Sequence, residues 1–341
     1  MLYRFIAILV VLVALLSACV APATPTPAQT VAPTVAPQPG ATATRAPLPP
    51  SAAGTLRVVV LPITDVVPFY IAQAQGYFKA QGINVELVPV ASAAERDQML
   101  VTQQADVQLT DLVGPLLLNS QSPRLKIVRT ARIPFPNNPQ FWILAPKDGA
   151  VKTAADLKGK EVAISQNSVI AYLTQRMLEK EGLAPAEIKT TNIPAIPTRL
   201  QLLQQNQIAA AMLPDPLASL AIMQGARVIV DDTKYPESSQ SVIAFRADIV
   251  ANRADDVKKF LAAYDKAIAD IRAKPDQFRN ILIEVGRVPD QLKDKYQFPP
   301  FPDPAIPTKA QWDDVVKWAM ENKLITAPVS YESSVDAGFV K

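Results

Sequence analysis

Histidine is absent from the 341 residues, and cysteine occurs once, at Cys19. Without histidine there is no Ser-His or Cys-His nucleophile pair and no histidine-ligated metal site. With one cysteine no intrachain disulfide can form, so stability must come from an apolar core. An excess of one charge is also missing: 34 Lys plus Arg against 31 Asp plus Glu leaves +3. No basic cluster is present, which removes the electrostatic footprint of a nucleic-acid binder. A membrane-spanning run is lacking too, because Met1 to Val20 offers fewer than the roughly 20 apolar residues that a bilayer requires. What remains, 49% hydrophobic and 19% charged residues, is an ordinary globular composition.

What is present begins with a leader. Arg4 precedes an apolar stretch from Phe5 to Leu15, and small residues lead to Cys19, the layout of a secretory signal. The sequence Leu16-Ser17-Ala18-Cys19 resembles the lipobox of bacterial lipoproteins. That resemblance implies that residues 1–18 are a signal peptide and that Cys19 is lipidated and becomes the mature N-terminus. Its thiol is then consumed, which removes cysteine nucleophiles and thiolate metal sites. One acyl chain holds a protein marginally and two or more hold it stably, so the chain is expected on the extracytoplasmic face of the cell membrane. Residues 19–54 are rich in Ala, Pro, Thr, Val and Gln, a composition that cannot build a core. At about 3.1 Å per residue in polyproline II, they read as a long tether.

The globular part starts near Thr55, and its length of about 285 residues suits two lobes better than one core. Strand and helix patterns alternate. Leu56 to Leu61 is a continuous β-branched run, Val66 to Gln81 has helical spacing, and Ile83 to Val88 alternates. Ser92 and Glu95 form a capping box for a helix reaching Gln104, and Ala105 to Leu109 is a third strand. A second unit repeats the plan: strand Val162–Ser165, helix Ser168–Glu181, strand Lys189–Ile193, helix Pro197–Asn206, strand Ile208–Leu213. Such order predicts parallel sheets that bind ligands at the carboxyl ends of their strands. Asp111 and Asp215 fall at those ends. Asp255 to Lys274 places Val257, Phe260, Leu261, Tyr264, Ile268 and Ile271 on one helical face. A final helix is expected around Trp312 to Asn322, after the break at Phe298-Pro299-Pro300-Phe301-Pro302.

Pro62-Ile63-Thr64-Asp65, Gly76-Tyr77-Phe78-Lys79, Gly82-Ile83-Asn84-Val85-Glu86, Ala105-Asp106-Val107, Asp156-Leu157-Lys158-Gly159-Lys160, Asn322-Lys323-Leu324-Ile325 and Pro328-Val329-Ser330-Tyr331 recur in order along the chain. In this the sequence resembles the nitrate, sulfonate, taurine and thiamine-pyrimidine-precursor solute-binding proteins of ABC importers, and its lipoprotein tether is most like the riboflavin-binding branch. The resemblance implies an α/β, two-lobe type II periplasmic-binding-protein fold, each lobe a mostly parallel sheet flanked by helices. Lobe one would comprise 55–143 plus 241–341 and lobe two 144–240, with hinges near Phe141 to Ala145 and Ser241 to Arg246. It further implies a monomer with no cofactor, which captures a small molecule and delivers it to separate permease and ATP-binding subunits. One relative of this fold is a histidine-dependent pyrimidine synthase, and the lack of histidine argues against enzyme chemistry here.

The loops expected to face the cleft supply the ligand-binding candidates Thr64, Asp65, Phe69, Tyr70, Thr110, Asp111, Asn138, Trp142, Ser165, Gln166, Asn167, Ser168 and Asp215. Carboxylate, amide, hydroxyl and aromatic groups dominate this set. It suits a neutral planar heterocycle, with Phe69 and Tyr70 stacking for about 0.5–1.5 kcal/mol beyond burial. Riboflavin is the leading candidate and the thiamine pyrimidine the next. A sulfonate, taurine or nitrate receptor should offer arginine or lysine, for which Arg129 and Arg132 are the nearest candidates. Each residue also has a structural reading: Asp65, Asp111, Asp215 and Ser168 as helix caps, Phe69, Tyr70 and Trp142 as core. A sensory or adhesive lipoprotein with the same fold would have no permease partner.

Overall fold

The computed structural model describes residues 54–340; the signal peptide, Cys19 and the tether lie outside the described residues. Ten strands run in chain order: β1 (Thr55–Val60), β2 (Asn84–Pro89), β3 (Val107–Thr110), β4 (Leu125–Arg132), β5 (Phe141–Ala145), β6 (Glu161–Ile164), β7 (Lys189–Asn192), β8 (Ala210–Pro214), β9 (Arg227–Asp231) and β10 (Ser241–Arg246). They form two five-stranded sheets, ordered β2-β1-β3-β10-β4 and β7-β6-β8-β5-β9. The central strands are continuous apolar runs because both faces are covered by helices. Edge strand β7, Lys-Thr-Thr-Asn, is largely exposed.

Each sheet is mixed, with one reversed strand. β10 is antiparallel to β3 and β4, and β5 is antiparallel to β8 and β9. Both reversed strands are the first to follow a crossing between lobes. The chain leaves the first sheet at the carboxyl end of β4, beside the cleft, and must run away from the cleft once it enters the second. The same geometry applies to β10 on the return.

This pairing corrects the expected hinges. Phe141–Ala145 lies wholly in the second sheet, between β8 and β9, so the first crossing occupies residues 133–140. Ser241–Arg246 lies wholly in the first sheet, so the second crossing occupies residues 232–240. The expected helix over Val66 to Gln81 is also broken, into Val67–Ala74 and Tyr77–Ala80, because Gly76 adopts φ +71°.

Helix Ala254–Ala273 buries Val257, Phe260, Leu261, Tyr264, Ile268 and Ile271 against helix Val67–Ala74. The rings of Phe260 and Tyr264 lie 5.5 and 5.1 Å from that of Phe69. The rest of the C-terminal region is not confined to lobe one. Helix Lys309–Glu321, started by a Thr308 and Gln311 capping box, accepts the Tyr172 hydroxyl at Asp314 (2.6 Å). Trp318 Nε1 of the same helix donates to Gln175 Oε1 at 2.9 Å. Both partners belong to helix Val169–Lys180 of lobe two. No helix among the described residues is long and apolar enough to cross a membrane.

Candidate functional site

The carboxyl ends of β1, β3, β4, β6 and β8 converge on a cleft between the two sheets that encloses about 820 Å³ including its open mouth. Of the residues expected there, Asp65, Thr110, Asp111, Ser165, Ser168 and Asp215 line it.

Asp65 caps no helix. It is 5% exposed, and its two oxygens accept from Arg132 Nη1 and Ser241 Oγ, each at 2.7 Å. Arg132 Nη1 also donates to Thr64 Oγ1 (2.8 Å), and Nη2 to Asn138 Oδ1 (3.4 Å). Thr64 and Asn138 therefore support the hinge instead of lining the cleft. Asp111 is a cap, accepting from Val113 N at 2.7 Å and Gly114 N at 3.2 Å. Burial raises its carboxyl above the usual range, with Arg96 Nη2 at 3.9 Å acting in the opposite direction. Asp215, similarly raised by burial, accepts from Ser219 and from the Tyr296 hydroxyl. Ser168 caps helix Val169–Lys180 through Ile170 N at 3.2 Å.

The aromatic candidates are displaced. Phe69 is fully buried against helix Ala254–Ala273, Tyr70 packs on the same core, and Trp142 is buried at 7% exposure while its neighbour Phe141 lines the cleft. Alternation along β5 forces that choice, since consecutive side chains point to opposite faces. Gln166 and Asn167 are exposed on the turn before the helix and do not line the cleft. Asn167 there adopts φ +54°.

Three arginines supply what the candidate set lacked: Arg96, Arg132 and Arg199 all line the cleft and are buried, at 2%, 2% and 0% exposure. Arg129, by contrast, pairs with Asp265. Arg199 stands on helix Ile196–Gln204. Its Nε donates to Met212 O (3.1 Å) and its Nη1 to Ser165 Oγ (2.8 Å) and Ile193 O (2.7 Å). Its Nη2 has no hydrogen-bond partner, and none of the ion pairs among the described residues involves it. Burial pushes Arg199 down to about 10, so it remains cationic at neutral pH. Other unpartnered polar atoms on the cleft wall are Arg96 Nη2, Thr110 Oγ1, Arg132 Nε, both ends of the Gln140 amide and Gln240 Nε2. Buried polar groups are normally satisfied, and these atoms all belong to residues that line the cleft. A sequence signal existed: Ile196, Arg199, Leu200 and Leu203 recur at helical spacing, which sets Arg199 in the apolar stripe.

The family model described as "NMT1/THI5 like" matches residues 63–278. An aliphatic sulfonates-binding protein of Escherichia coli K12 is 30% identical over 148 residues, 43% of this chain and 46% of that protein. The alignment thus spans under half the length of that relative. The riboflavin-binding protein RibY of Chloroflexus aurantiacus is 25% identical over 280 residues, 80% of this chain and 76% of its own. Among solved structures, the periplasmic aliphatic sulphonate binding protein SsuA from Escherichia coli superposes with TM-score 0.70 at 21% identity, covering 84% of this chain and 92% of that one. The superposition shows the periplasmic-binding-protein fold.

Proposed function

Because the chain belongs to the NMT1/THI5-like family and has the periplasmic-binding-protein fold, we propose that it is the extracytoplasmic solute-binding component of an ABC importer, closing on a small organic anion. In this reading it acts as a monomer anchored through lipidated Cys19 and passes its cargo to separate permease and ATP-binding subunits. No step of catalysis is assigned to it: Asp111 and Asp215, the cleft carboxyls raised by burial, are engaged by backbone and hydroxyl donors.

The observation that carries the anion reading is Arg199. An isolated buried cation is costly, and the protein places no carboxylate against it among the described residues. A sulfonate, sulfate or carboxylate oxygen on Nη2 would supply both the missing acceptor and the missing charge. The neutral-heterocycle preference rested on Phe69 and Tyr70, which pack in the core.

Titration calorimetry of the full chain against alkanesulfonates, taurine, nitrate, riboflavin and the thiamine pyrimidine tests this. An anion should bind, and Arg199→Met should weaken it by at least ~30-fold, since truncating one partner of a buried charged pair costs about 2–5 kcal/mol. Riboflavin has its own support: the RibY alignment covers most of the chain, and the unpartnered Gln140 and Gln240 amides suit an imide edge. Riboflavin binding that survives Arg199→Met, with no anion bound, would replace the anion reading by this second one.

A further inference from the structure

Beyond helix Ala254–Ala273 the chain reaches lobe two at two places, neither of them a crossing. The first is Tyr296, whose hydroxyl donates to Asp215 Oδ2. Asp215 follows β8 in the second sheet, and its other oxygen accepts from Ser219 N of helix Leu217–Met223 at 3.3 Å. On the lobe-one side, Arg279 Nη1 donates to Tyr296 O at 2.9 Å, and Nη2 to Lys293 O. Arg279 starts helix Arg279–Val285, which packs on helix Val67–Ala74. The chain is then drawn back to the first sheet, where Ala305 O accepts from Thr130 N of β4 at 2.7 Å. Tyr296 thus lies in the middle of a strap fixed to lobe one at both ends.

The second place is helix Lys309–Glu321. Besides the Tyr172 hydroxyl, its Asp314 accepts from Arg176 Nε at 3.3 Å, and Arg176 Nη2 donates to Glu321 Oε2 at 3.3 Å. The Tyr172 and Trp318 rings meet edge-on with centroids 5.5 Å apart. The same helix packs on helix Val113–Asn119 of lobe one, and the chain after it returns to β4, where Asp336 N donates to Ile127 O at 2.9 Å.

These two contacts lie on opposite faces of the sheets. Consecutive residues of a strand point to opposite faces. Trp142 and Leu144 of β5 share a buried cluster with Tyr296, whereas Ile143 and Ala145 share one with Trp312 and Trp318. β10 divides in the same way, Ile243 and Phe245 falling in the first cluster and Val242 and Ala244 in the second. The crossings are covalent and can bend without breaking. A hydrogen bond persists only to about 3.5 Å, so a separation of the lobes by about 1 Å or more at either face breaks the tie there.

We propose that the C-terminal region is a clasp with two arms, Tyr296 on one face and Asp314 on the other, that holds the lobes at this separation before a ligand arrives. Opening of the cleft requires release of an arm, and the ligand-free protein keeps one lobe arrangement instead of sampling a broad range. The clasp is independent of what the cleft binds.

The test is the distance between spin labels in the two lobes of the ligand-free full chain, read by double electron–electron resonance. Cys19→Ser clears the single native thiol, and Gln98→Cys in lobe one with Gln205→Cys in lobe two, both exposed positions, carry the labels. The otherwise unaltered chain should give one narrow distribution. Tyr296→Phe and Asp314→Ala should each raise the ratio of longer to native distances by about tenfold or more, the worth of a hydrogen bond to a charged acceptor. Their effects should multiply in the double variant, since the arms share no partner. Tyr77→Phe removes a hydroxyl-to-carboxylate bond of the same kind to Asp270 inside lobe one, and it should leave the distribution unchanged. Should Asp314→Ala fail to fold, Tyr172→Phe removes the same bond from the other side. A broad distribution before any arm is cut, or a double variant that keeps the narrow one, overturns the clasp.

Discussion

Asp65 is a buried carboxylate whose two oxygens each hold a partner from a different crossing. It accepts from Arg132, at the end of β4 where the first crossing begins, and from Ser241, at the start of β10 where the second ends. Asp65→Ala would leave Arg132, 2% exposed, with only Thr64 and Asn138 as acceptors. Breaking a buried ion pair from one side costs about 3–5 kcal/mol, and the orphaned Ser241 hydroxyl adds about 1 kcal/mol. Against a total stability of about 5–15 kcal/mol this is severe. At roughly 2–4 °C per kcal/mol for a chain of this class, the melting temperature should fall by about 8–24 °C. Urea and thermal unfolding of the full chain, followed by circular dichroism, measure it. The double variant Asp65→Ala/Arg132→Met should recover most of the loss, since replacing a whole buried pair by apolar groups is near neutral. A loss below about 1 kcal/mol in the single variant, or a double variant as unstable as the summed singles, refutes the fastening role.

Asp232 gives a pH dependence of opposite sign to that of an ordinary salt-bridged carboxylate. It is 0% exposed, accepts from Gln140 N at 2.9 Å and from Ser239 Oγ, and is raised by burial from 3.8 to about 6. The native state therefore holds the extra proton between these values, so this group's contribution to stability falls as pH rises from about 4 to about 6, by roughly 3 kcal/mol. Asp232→Asn should gain stability relative to wild type across that window, read as the difference in urea midpoint between the two proteins at each pH; a constant difference refutes the shift. Cys19→Ala should leave the melting profile of the folded part unchanged and release the chain from membranes into the soluble fraction. Continued sedimentation with membranes refutes the lipid anchor.

The periodic features were readable because they are local. Ser92 accepts from Glu95 N at 3.2 Å as the capping box required, and the apolar face of helix Ala254–Ala273 is the one the sequence displays. The crossings were misplaced because strand character is local and strand partnership is not: nothing within Phe141–Ala145 states which sheet will pair with it. The same gap explains the ligand residues. Asp111 and Asp215 could be located because a strand's carboxyl end is a position in the pattern. Phe69 could not be assigned, since facing the cleft or facing helix Ala254–Ala273 depends on a segment almost two hundred residues away. Arg199 was legible and overlooked. It occupies an apolar stripe, and an arginine in such a stripe needs a charge partner that none of the ion pairs among the described residues provides.

The two buried carboxylates of the hinge also limit where the lobes can bend. Asp65 fastens Arg132 to Ser241 on the lobe-one side of the crossings. Asp232 fastens the backbone of Gln140 to the Ser239 hydroxyl on the lobe-two side. Each carboxylate ties the first crossing to the second, so the crossings are held together at both ends. The dihedral changes of closure then fall on the residues between those ties. In the first crossing Pro134, Pro136 and Pro139 fix φ at three of the available positions, and Asn137 is held at φ +60° in the turn where Phe135 and Asn138 bond to each other. The second crossing has Pro236 alone, but the Ser239 hydroxyl bonded to Asp232 ties its own two ends together. Hinges need only a few such residues to absorb a large rotation. A ligand that touches both lobes acts across this narrow pivot, and its differential contacts decide how far a closed form is favoured.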